Sequence, residues 1–233
     1  MAERVITRHV VRSPRITKPL TLAVVSDLHN GPYADVLPAL QGLDAILIAG
    51  DMINRHKPGY DYAIPFLKAA ADIAPTFYSI GNHEWKAAER DAYWQEAVKC
   101  PVTVLHNRFV SFGEVVIGGL SSAPRKAVDA SFLADMEKQE GFRLLLCHHP
   151  EYFKRYVAGH DIDLTLAGHA HGGQINLLNR GVYAPGQGVF PRWTHGAYFG
   201  GKLLVSRGMT NSSGAPRWGN PCEMILLELG PEE

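Results

Sequence analysis

Short apolar runs recur along the whole chain and predict buried β-strands. Each run spans four to six residues that are apolar at successive positions, and this unbroken pattern is typical of strands covered on both faces. The predicted strands are residues 21–26, 45–49, 76–80, 115–120, 143–147, 164–167, 202–206 and 224–229.

Helix-like segments separate most of these strands, and the alternation predicts an α/β fold. Residues 179–201 change character, because glycine and aromatic residues dominate them. We expect that stretch to form a long surface loop or a hairpin, since aromatic side chains need a surface to pack against. The predicted helices are residues 34–43, 62–71, 87–98, 131–140 and 151–157.

Length and composition are those of a globular protein. We expect the 233 residues to form a single domain spanning 1–233; 46% of them are hydrophobic and 20% are charged. Lysine plus arginine and aspartate plus glutamate both number 23, so the formal net charge is zero. Long nucleic acid is therefore not an expected partner, because binding it rests on clustered cationic contacts with phosphates. No stretch has the roughly 20 apolar residues of a transmembrane segment.

The cysteines and the first residues bear on the compartment. Cys100, Cys147 and Cys222 are far apart, odd in number and free of any CxxC spacing, which argues against a disulfide framework and a thiolate zinc site. The first residues are basic but lack the apolar core and cleavage site of a secretory signal. We therefore expect a cytoplasmic protein with free thiols.

Polar side chains with metal-binding chemistry follow five of the predicted strands. Five such positions in register at strand ends are hard to explain as independent turns. Taken singly, Asp51 or Asn82, each after a glycine, could be an ordinary turn or cap residue. His169 and His171 lie two residues apart in a segment predicted to be extended, so their side chains should point the same way. Together they indicate a metal centre. In chain order the candidates are Asp27, His29, Asp51, Asn82, His83, Glu84, His148, His169 and His171.

The order D-x-H, GD, GNHE, H and GHxH resembles the motif series of the calcineurin-like metallophosphoesterase superfamily. The resemblance extends from Asp27 to the last predicted strand, and residues 192–229 are similar to the end of the small bacterial phosphohydrolases of that superfamily. It implies a four-layer α-β-β-α sandwich of two mixed sheets, with the site along one rim of strand ends. Residue patterns alone predict only the α/β class.

The resemblance also implies the ligands of two divalent metal ions. Asp51 would bridge the ions through both carboxylate oxygens, because two cations about 3.5–4 Å apart need an anionic ligand between them. Mixed nitrogen and oxygen ligands suit Mn²⁺, Fe, Zn²⁺ or Ni²⁺ better than Mg²⁺ or Ca²⁺, and manganese is the ion we expect to support activity in vitro. The implied ligands are Asp27, His29 and His171 for one ion, Asn82, His148 and His169 for the other, and Asp51 for both.

The implied reaction is hydrolysis of a phosphoester bond by a hydroxide held between the two metals. His83 would lie beside the leaving oxygen, stabilise or protonate it, and be catalytic without binding metal. Glu84 is expected either to orient His83 or to lie exposed at a helix start. His149 is expected to face away from the metals. Arg217 either borders the pocket or packs within a loop, and packing is the interpretation that we favour.

The expected substrate is a small phosphorylated molecule. Monoesters, diesters and pyrophosphates are all candidate substrates, including lipid-linked and nucleotide-sugar ones. A lipid-linked substrate would bring the protein to the membrane periphery. Two rival functions use the same fold. A catalytically silent scaffold is disfavoured because every ligand motif is present, and a nuclease is disfavoured by the balanced charge.

Overall fold

The structure is a computed structural model and describes residues 4–123, 127–177, 180–211 and 217–232. Its strands, numbered in chain order, form two six-stranded sheets and two small hairpins. The first sheet contains β1 (Arg4–Arg12), β2 (Leu20–Val25), β3 (Ala45–Ile48), β4 (Thr76–Ser79), β5 (Thr103–Leu105) and β16 (Cys222–Gly230). The second contains β6 (Arg108–Phe112), β7 (Val115–Leu120), β8 (Phe142–Cys147), β9 (Leu164–Ala167), β14 (Gly196–Tyr198) and β15 (Leu203–Val205). The hairpins pair β10 (Asn176–Leu177) with β11 (Arg180–Gly181) and β12 (Tyr183–Ala184) with β13 (Gly188–Val189).

Both six-stranded sheets are mixed. The first has the order β1-β16-β2-β3-β4-β5, in which β2, β3, β4 and β5 are parallel and β16 runs antiparallel to β2. The second has the order β14-β15-β9-β8-β7-β6, in which β15, β9, β8 and β7 are parallel. Each sheet therefore gathers the carboxyl ends of its central parallel strands at one edge.

Side chains of the central strands alternate between two cores. In β2, Leu22 and Val24 pack between the sheets, while Ala23 and Val25 pack under the helices on the outer side. Successive strand residues point to opposite faces, so a strand with apolar neighbours on both sides must be apolar at every position. This confirms the interpretation of the unbroken apolar runs.

Helices cover the outer face of each sheet. The helices are α1 (Leu37–Leu40), α2 (Ala63–Ile73), α3 (Asn82–Lys86), α4 (Arg90–Ala97) and α5 (Leu133–Met136), with a π-helical turn at Phe153–Val157. Residues of α1, α2 and α4 share one outer core with the first sheet, whereas α5 and the π-helical turn share the other with the second. The order of layers is therefore helix, sheet, sheet, helix, which confirms the predicted four-layer sandwich.

The structure adds elements that the apolar runs did not predict. Strand β1 lies at the edge of its sheet and alternates half-buried with exposed residues, so it contains no apolar run. Helix α3 has only five residues, too few to show a helical period. The predicted loop contains the hairpin of β12 and β13 and the edge strand β14, although residue 179 lies outside the described residues.

Within the described ranges, none of the helices combines the length and the apolar character needed to cross a bilayer.

Candidate metal centre

The predicted metal-binding residues come together at the carboxyl ends of five parallel strands. Asp27, Asp51 and Asn82 follow β2, β3 and β4 of the first sheet, and His148 and His169 follow β8 and β9 of the second. Because the two sheets are stacked face to face, these two rows of strand ends meet along one rim. All seven predicted ligands are buried.

One group of potential ligands consists of Asp27, His29 and His171. Nε2 of His29 and Nε2 of His171 each lie 3.6 Å from Oδ1 of Asp27, and the two nitrogens are 3.3 Å apart. The ligand atoms of the group lie within 4.8 Å of one another, which is close enough to share one ion. Its members are those that the sequence assigned together.

A second group consists of Asp51, His148 and His169, again with ligand atoms within 4.8 Å of one another. Nε2 of His148 lies 3.0 Å from Oδ2 of Asp51, yet this buried nitrogen has no hydrogen-bond partner among the residues that the structure describes. Oδ1 of Asn82 is also buried without one. Buried polar atoms are normally paired, so these two atoms fit a site that completes its coordination with a metal ion.

Backbone carbonyls select the tautomers of two histidines. Nδ1 of His148 lies 2.7 Å from the carbonyl oxygen of Ala49, and Nδ1 of His29 lies 3.3 Å from that of Ile53. A carbonyl oxygen can only accept, so the hydrogen of each neutral imidazole is on Nδ1 and Nε2 presents a lone pair. Histidine ligands of metals are commonly oriented in this way.

Five of the seven predicted ligands have a left-handed backbone conformation. Their φ angles lie between 47° and 67°, a region that costs free energy for residues other than glycine. The prediction that His169 and His171 lie in an extended segment is therefore wrong, because β9 ends at Ala167 and each histidine occupies a turn. The turns aim the two rings into different groups. The five residues are Asp27, His29, Asp51, His169 and His171.

The two carboxylate oxygens of Asp51 have different neighbours. Oδ1 accepts a hydrogen bond from the backbone N–H of His83 at 2.8 Å. Oδ2 is the atom that approaches the imidazoles, at 3.0 Å from His148 and 4.0 Å from His29. Oδ1 is therefore engaged by the backbone, whereas Oδ2 faces the imidazoles.

The electrostatics of the site favour positive charge between the two aspartates. Burial alone would raise the pKa of Asp51, but nearby imidazoles, His148 first among them, lower that pKa well below its usual range. Burial alone would lower the pKa of His148, but Asp51 raises it to about 10. A bound cation can supply the charge that a proton supplies otherwise.

His83 lies beside the centre in a different tautomer. Its Nδ1 accepts a hydrogen bond from the backbone N–H of Arg55 at 3.1 Å, so the ring hydrogen is on Nε2, which lies 3.8 Å from Oδ2 of Asp51. Burial lowers the pKa of His83 to about 3, although Asp51 opposes the shift. At neutral pH the ring is therefore an uncharged hydrogen-bond donor, which is unlike a ligand that presents a bare nitrogen.

Glu84 holds the loops of the centre together. Both predictions for it are wrong: its exposed fraction is 0%, and its contacts are with backbone groups instead of His83. Its carboxylate accepts hydrogen bonds from the backbone N–H groups of Asp51, Met52 and Gly81. The hydroxyl of Tyr78 donates a further one at 2.7 Å. Burial first, and then the charge of Asp51, raise the pKa of Glu84 to about 7.

Comparison with protein-family models identifies the fold family. Residues 20–173 match the model described as calcineurin-like phosphoesterase, and this segment includes all seven predicted ligands and His83. The chain belongs to the calcineurin-like phosphoesterase family.

Similar curated proteins cover most of this chain. It is 29% identical to an uncharacterized metallophosphoesterase of Campylobacter jejuni, over 94% of this chain and 61% of that protein. It is 26% identical to the uncharacterized protein YpbG of Bacillus subtilis, over 92% of this chain and 83% of that protein. Phosphodiesterase YaeI of Escherichia coli is 29% identical, over 68% of this chain and 63% of that protein. The chain thus spans about three fifths of the length of the Campylobacter relative and of two Helicobacter pylori metallophosphoesterases.

Solved structures with a similar fold are more distant. TT1561 of Thermus thermophilus has a TM-score of 0.48 and 15% identity, over 65% of this chain and 82% of that one. The NAD nucleotidase of Haemophilus influenzae has a TM-score of 0.47 and 15% identity, over 66% of this chain and 39% of that one.

Two further residues, His149 and Glu151, lie at the edge of the centre, where the sequence did not place them. The prediction that His149 faces away is wrong, because its ring centroid lies 4.0 Å from that of His169. Oε1 of Glu151 lies 3.1 Å from Nδ1 of His149, and the three residues form another group with ligand atoms within 4.8 Å. The H-x-E spacing after β8 was the available signal.

Arg217 contacts the centre directly. Its guanidinium donates hydrogen bonds to Nδ1 of His171 at 3.0 Å and to the carbonyl oxygen of Thr210 at 2.7 Å. The favoured interpretation, packing within a loop, is therefore wrong for this residue. A guanidinium cannot accept, so His171 bound to metal through Nε2 would carry its hydrogen on Nδ1 and would have to release Arg217.

Proposed function

We propose that the chain hydrolyses phosphoester bonds at a dinuclear metal centre. The observation that carries the proposal is the convergence of six buried side chains into two groups, with Oδ2 of Asp51 in one group 4.0 Å from Nε2 of His29 in the other. The buried Asn82 follows a fifth strand, β4. Strained backbone at five of these residues supports a functional site over a structural one, since strain is retained where it serves a purpose.

The seven proposed ligands would form two sets, one for each ion. Asp27, His29 and His171 would hold one ion, and Asp51 would be shared. The other ion would take His148 and His169 together with Oδ1 of Asn82, a buried atom with no hydrogen-bond partner among the described residues. The set of four imidazoles, two carboxylates and one amide suits Mn²⁺, Fe, Zn²⁺ or Ni²⁺.

Bound metals would supply an activated water and neutralise charge on the phosphoryl oxygens. The protein supplies the orientation. The Nε2–H of His83 is fixed by the backbone N–H of Arg55 and is uncharged, so it would donate a hydrogen bond to an oxygen of the phosphoryl group or the leaving group. A ring with a pKa of about 3 stabilises that oxygen better than it protonates it.

The test combines elemental analysis with a substrate panel. The purified protein is analysed for metals and then assayed with aryl phosphate monoesters, aryl phosphate diesters, nucleotides and lipid-linked pyrophosphates. We expect two ions per chain and manganese-stimulated turnover of at least one class. The relation to phosphodiesterase YaeI makes the diester arm informative. Full metal loading without turnover of any class would favour the silent scaffold, and cleavage of polynucleotides would favour the nuclease.

A further inference from the structure

A cleft of about 730 Å³ opens on the centre and concentrates positive charge. Asn82 and His169 are among its lining residues. Of the residues that the structure describes, four cationic side chains and one carboxylate, that of Glu151, line the same cleft, although the whole chain has no net charge. The volume is that of a site for a small organic ligand, and is larger than one phosphate needs. The cations are Arg55, Lys86, Arg90 and Arg155.

Three of these cations have no carboxylate partner among the described residues. Arg90 pairs with the exposed Asp91 at 3.1 Å, whereas Arg55, Lys86 and Arg155 take part in no ion pair there. Nε of Arg55 bonds to Nε2 of the His56 ring, and the guanidinium of Arg155 lies 5.2 Å from the ring centroid of Tyr156. These neighbours position the side chains without neutralising their charge.

Lys86 and Arg155 line the cleft from two different helical segments. Lys86 is the last residue of α3, which begins at Asn82, so it is displaced along the helix by about one turn from that predicted ligand. Arg155 lies in the π-helical turn Phe153–Val157, which follows Glu151. Both side chains are exposed and can reach a ligand.

We propose that the cleft accepts a phosphoester that carries a second phosphoryl group, and that Lys86 and Arg155 bind this second group. The inference rests on the proposed function, since the first phosphoryl group must lie at the metal centre. Two metal ions at the centre, together with His83, would serve one phosphate, which leaves Lys86 and Arg155 for another anion. Trp85 and Tyr183, which also line the cleft, offer flat surfaces to the organic part of the substrate.

The test compares adenosine 3′,5′-bisphosphate with adenosine 5′-monophosphate as substrates of the manganese-loaded chain. We expect kcat/KM to be higher for the bisphosphate. In Lys86→Met and in Arg155→Met, the ratio of the two kcat/KM values should fall by about tenfold, as for loss of one charged hydrogen bond. Lys154→Met is the matched control, because Lys154 is exposed, adjoins Arg155 and does not line the cleft; the ratio should stay at the wild-type value.

Binding of the same two nucleotides is also measured by calorimetry. Together with turnover, it distinguishes a wrong inference from a wrong proposed function. Turnover of an aryl phosphate without preference for the bisphosphate, in either turnover or binding, would overturn the inference and leave the function intact. Absence of all turnover, with bisphosphate binding that weakens in Lys86→Met and Arg155→Met alone, would support the anion site and overturn the function. Tighter competition by oligothymidylate than by the bisphosphate would assign the cations to a nucleic acid strand and overturn the inference.

Discussion

The backbone N–H of His83 donates a hydrogen bond of 2.8 Å to Oδ1 of Asp51. This contact joins the loop after β3 to the start of α3 and leaves Oδ2 facing the histidines. Oδ1 of Asp51 thus has a structural role, whereas Oδ2 faces the predicted metal ligands. Mutation can separate the two roles.

Asp51→Asn should abolish hydrolysis and lower the metal content while the protein stays folded. The amide oxygen of asparagine can still accept the hydrogen bond from His83, but the neutral side chain no longer offsets the repulsion between two divalent ions. Elemental analysis, turnover and thermal unfolding measure the three effects. Asp91→Asn is the control, because the Asp91 side chain is 84% exposed. Wild-type turnover in Asp51→Asn would disprove the bridging assignment.

His83→Ala should reduce kcat by about 10²-fold, in the range for removal of one hydrogen-bond donor to the transition state. The metal content should not change, since the hydrogen on Nε2 makes this ring a donor instead of a ligand. Steady-state kinetics and elemental analysis on one preparation test both statements. A loss of one ion per chain would instead make His83 a metal ligand.

Glu84→Gln should destabilise the fold and weaken metal binding together. Glutamine has one acceptor oxygen, so at least one of the backbone N–H groups of Asp51, Met52 and Gly81 would lose its partner. An unsatisfied buried donor costs about 1–3 kcal/mol, or a fall in Tm of about 2–10 °C for a chain of this size. Calorimetry of the metal-free protein and a manganese titration measure the two effects. Glu96→Gln, at an exposed i,i+3 pair with Lys99, should change neither.

Glu151→Ala should weaken metal binding by about tenfold, as for loss of a carboxylate that orients a histidine ligand. A Cβ at Gly186 would lie 3.0 Å from Nε2 of His169 and would overlap Oε1 of Glu151, so the Gly186 backbone covers both groups. Glu137→Ala is a matched control, because Glu137 contacts His160 at 3.0 Å away from the centre. Equal metal affinities in the two variants would show that Glu151, which bonds to His149 beside His169, does not support the position of that ligand.

Arg217→Met should raise the affinity of the metal-free chain for manganese by about fivefold. The substitution removes a hydrogen bond to Nδ1 of His171 that metal binding has to break, and also a cation beside the site. Titration calorimetry measures the affinity, with Arg207→Met as the control because Arg207 contacts Glu223 instead of a histidine. Weaker binding in Arg217→Met would show that Arg217 supports the ligand geometry.

The residue pattern by itself predicted the α/β class, and the motif series, through its family resemblance, implied the layers of the fold and the ligands of the centre. Strands buried on both faces must be apolar at every position, so β2, β3, β7, β8 and β9 were visible as runs. Ligand types follow from the residues present, and their positions after strands follow from the runs. Edge strand β1 and the short helix α3 lack such a local pattern.

Only the tertiary structure decided how each side chain is used. The resemblance implied that His169 and His171 bind different ions, but the left-handed turns that place them in different groups were not predicted, since the segment was expected to be extended. The structural role of Glu84 depends on backbone N–H groups from the loop after β3, more than 30 residues away in the chain. Partners distant in sequence set the tautomers, the buried hydrogen bonds and the charge of the cleft. Residue spacing contains no information on which partners the packing of two sheets will bring together.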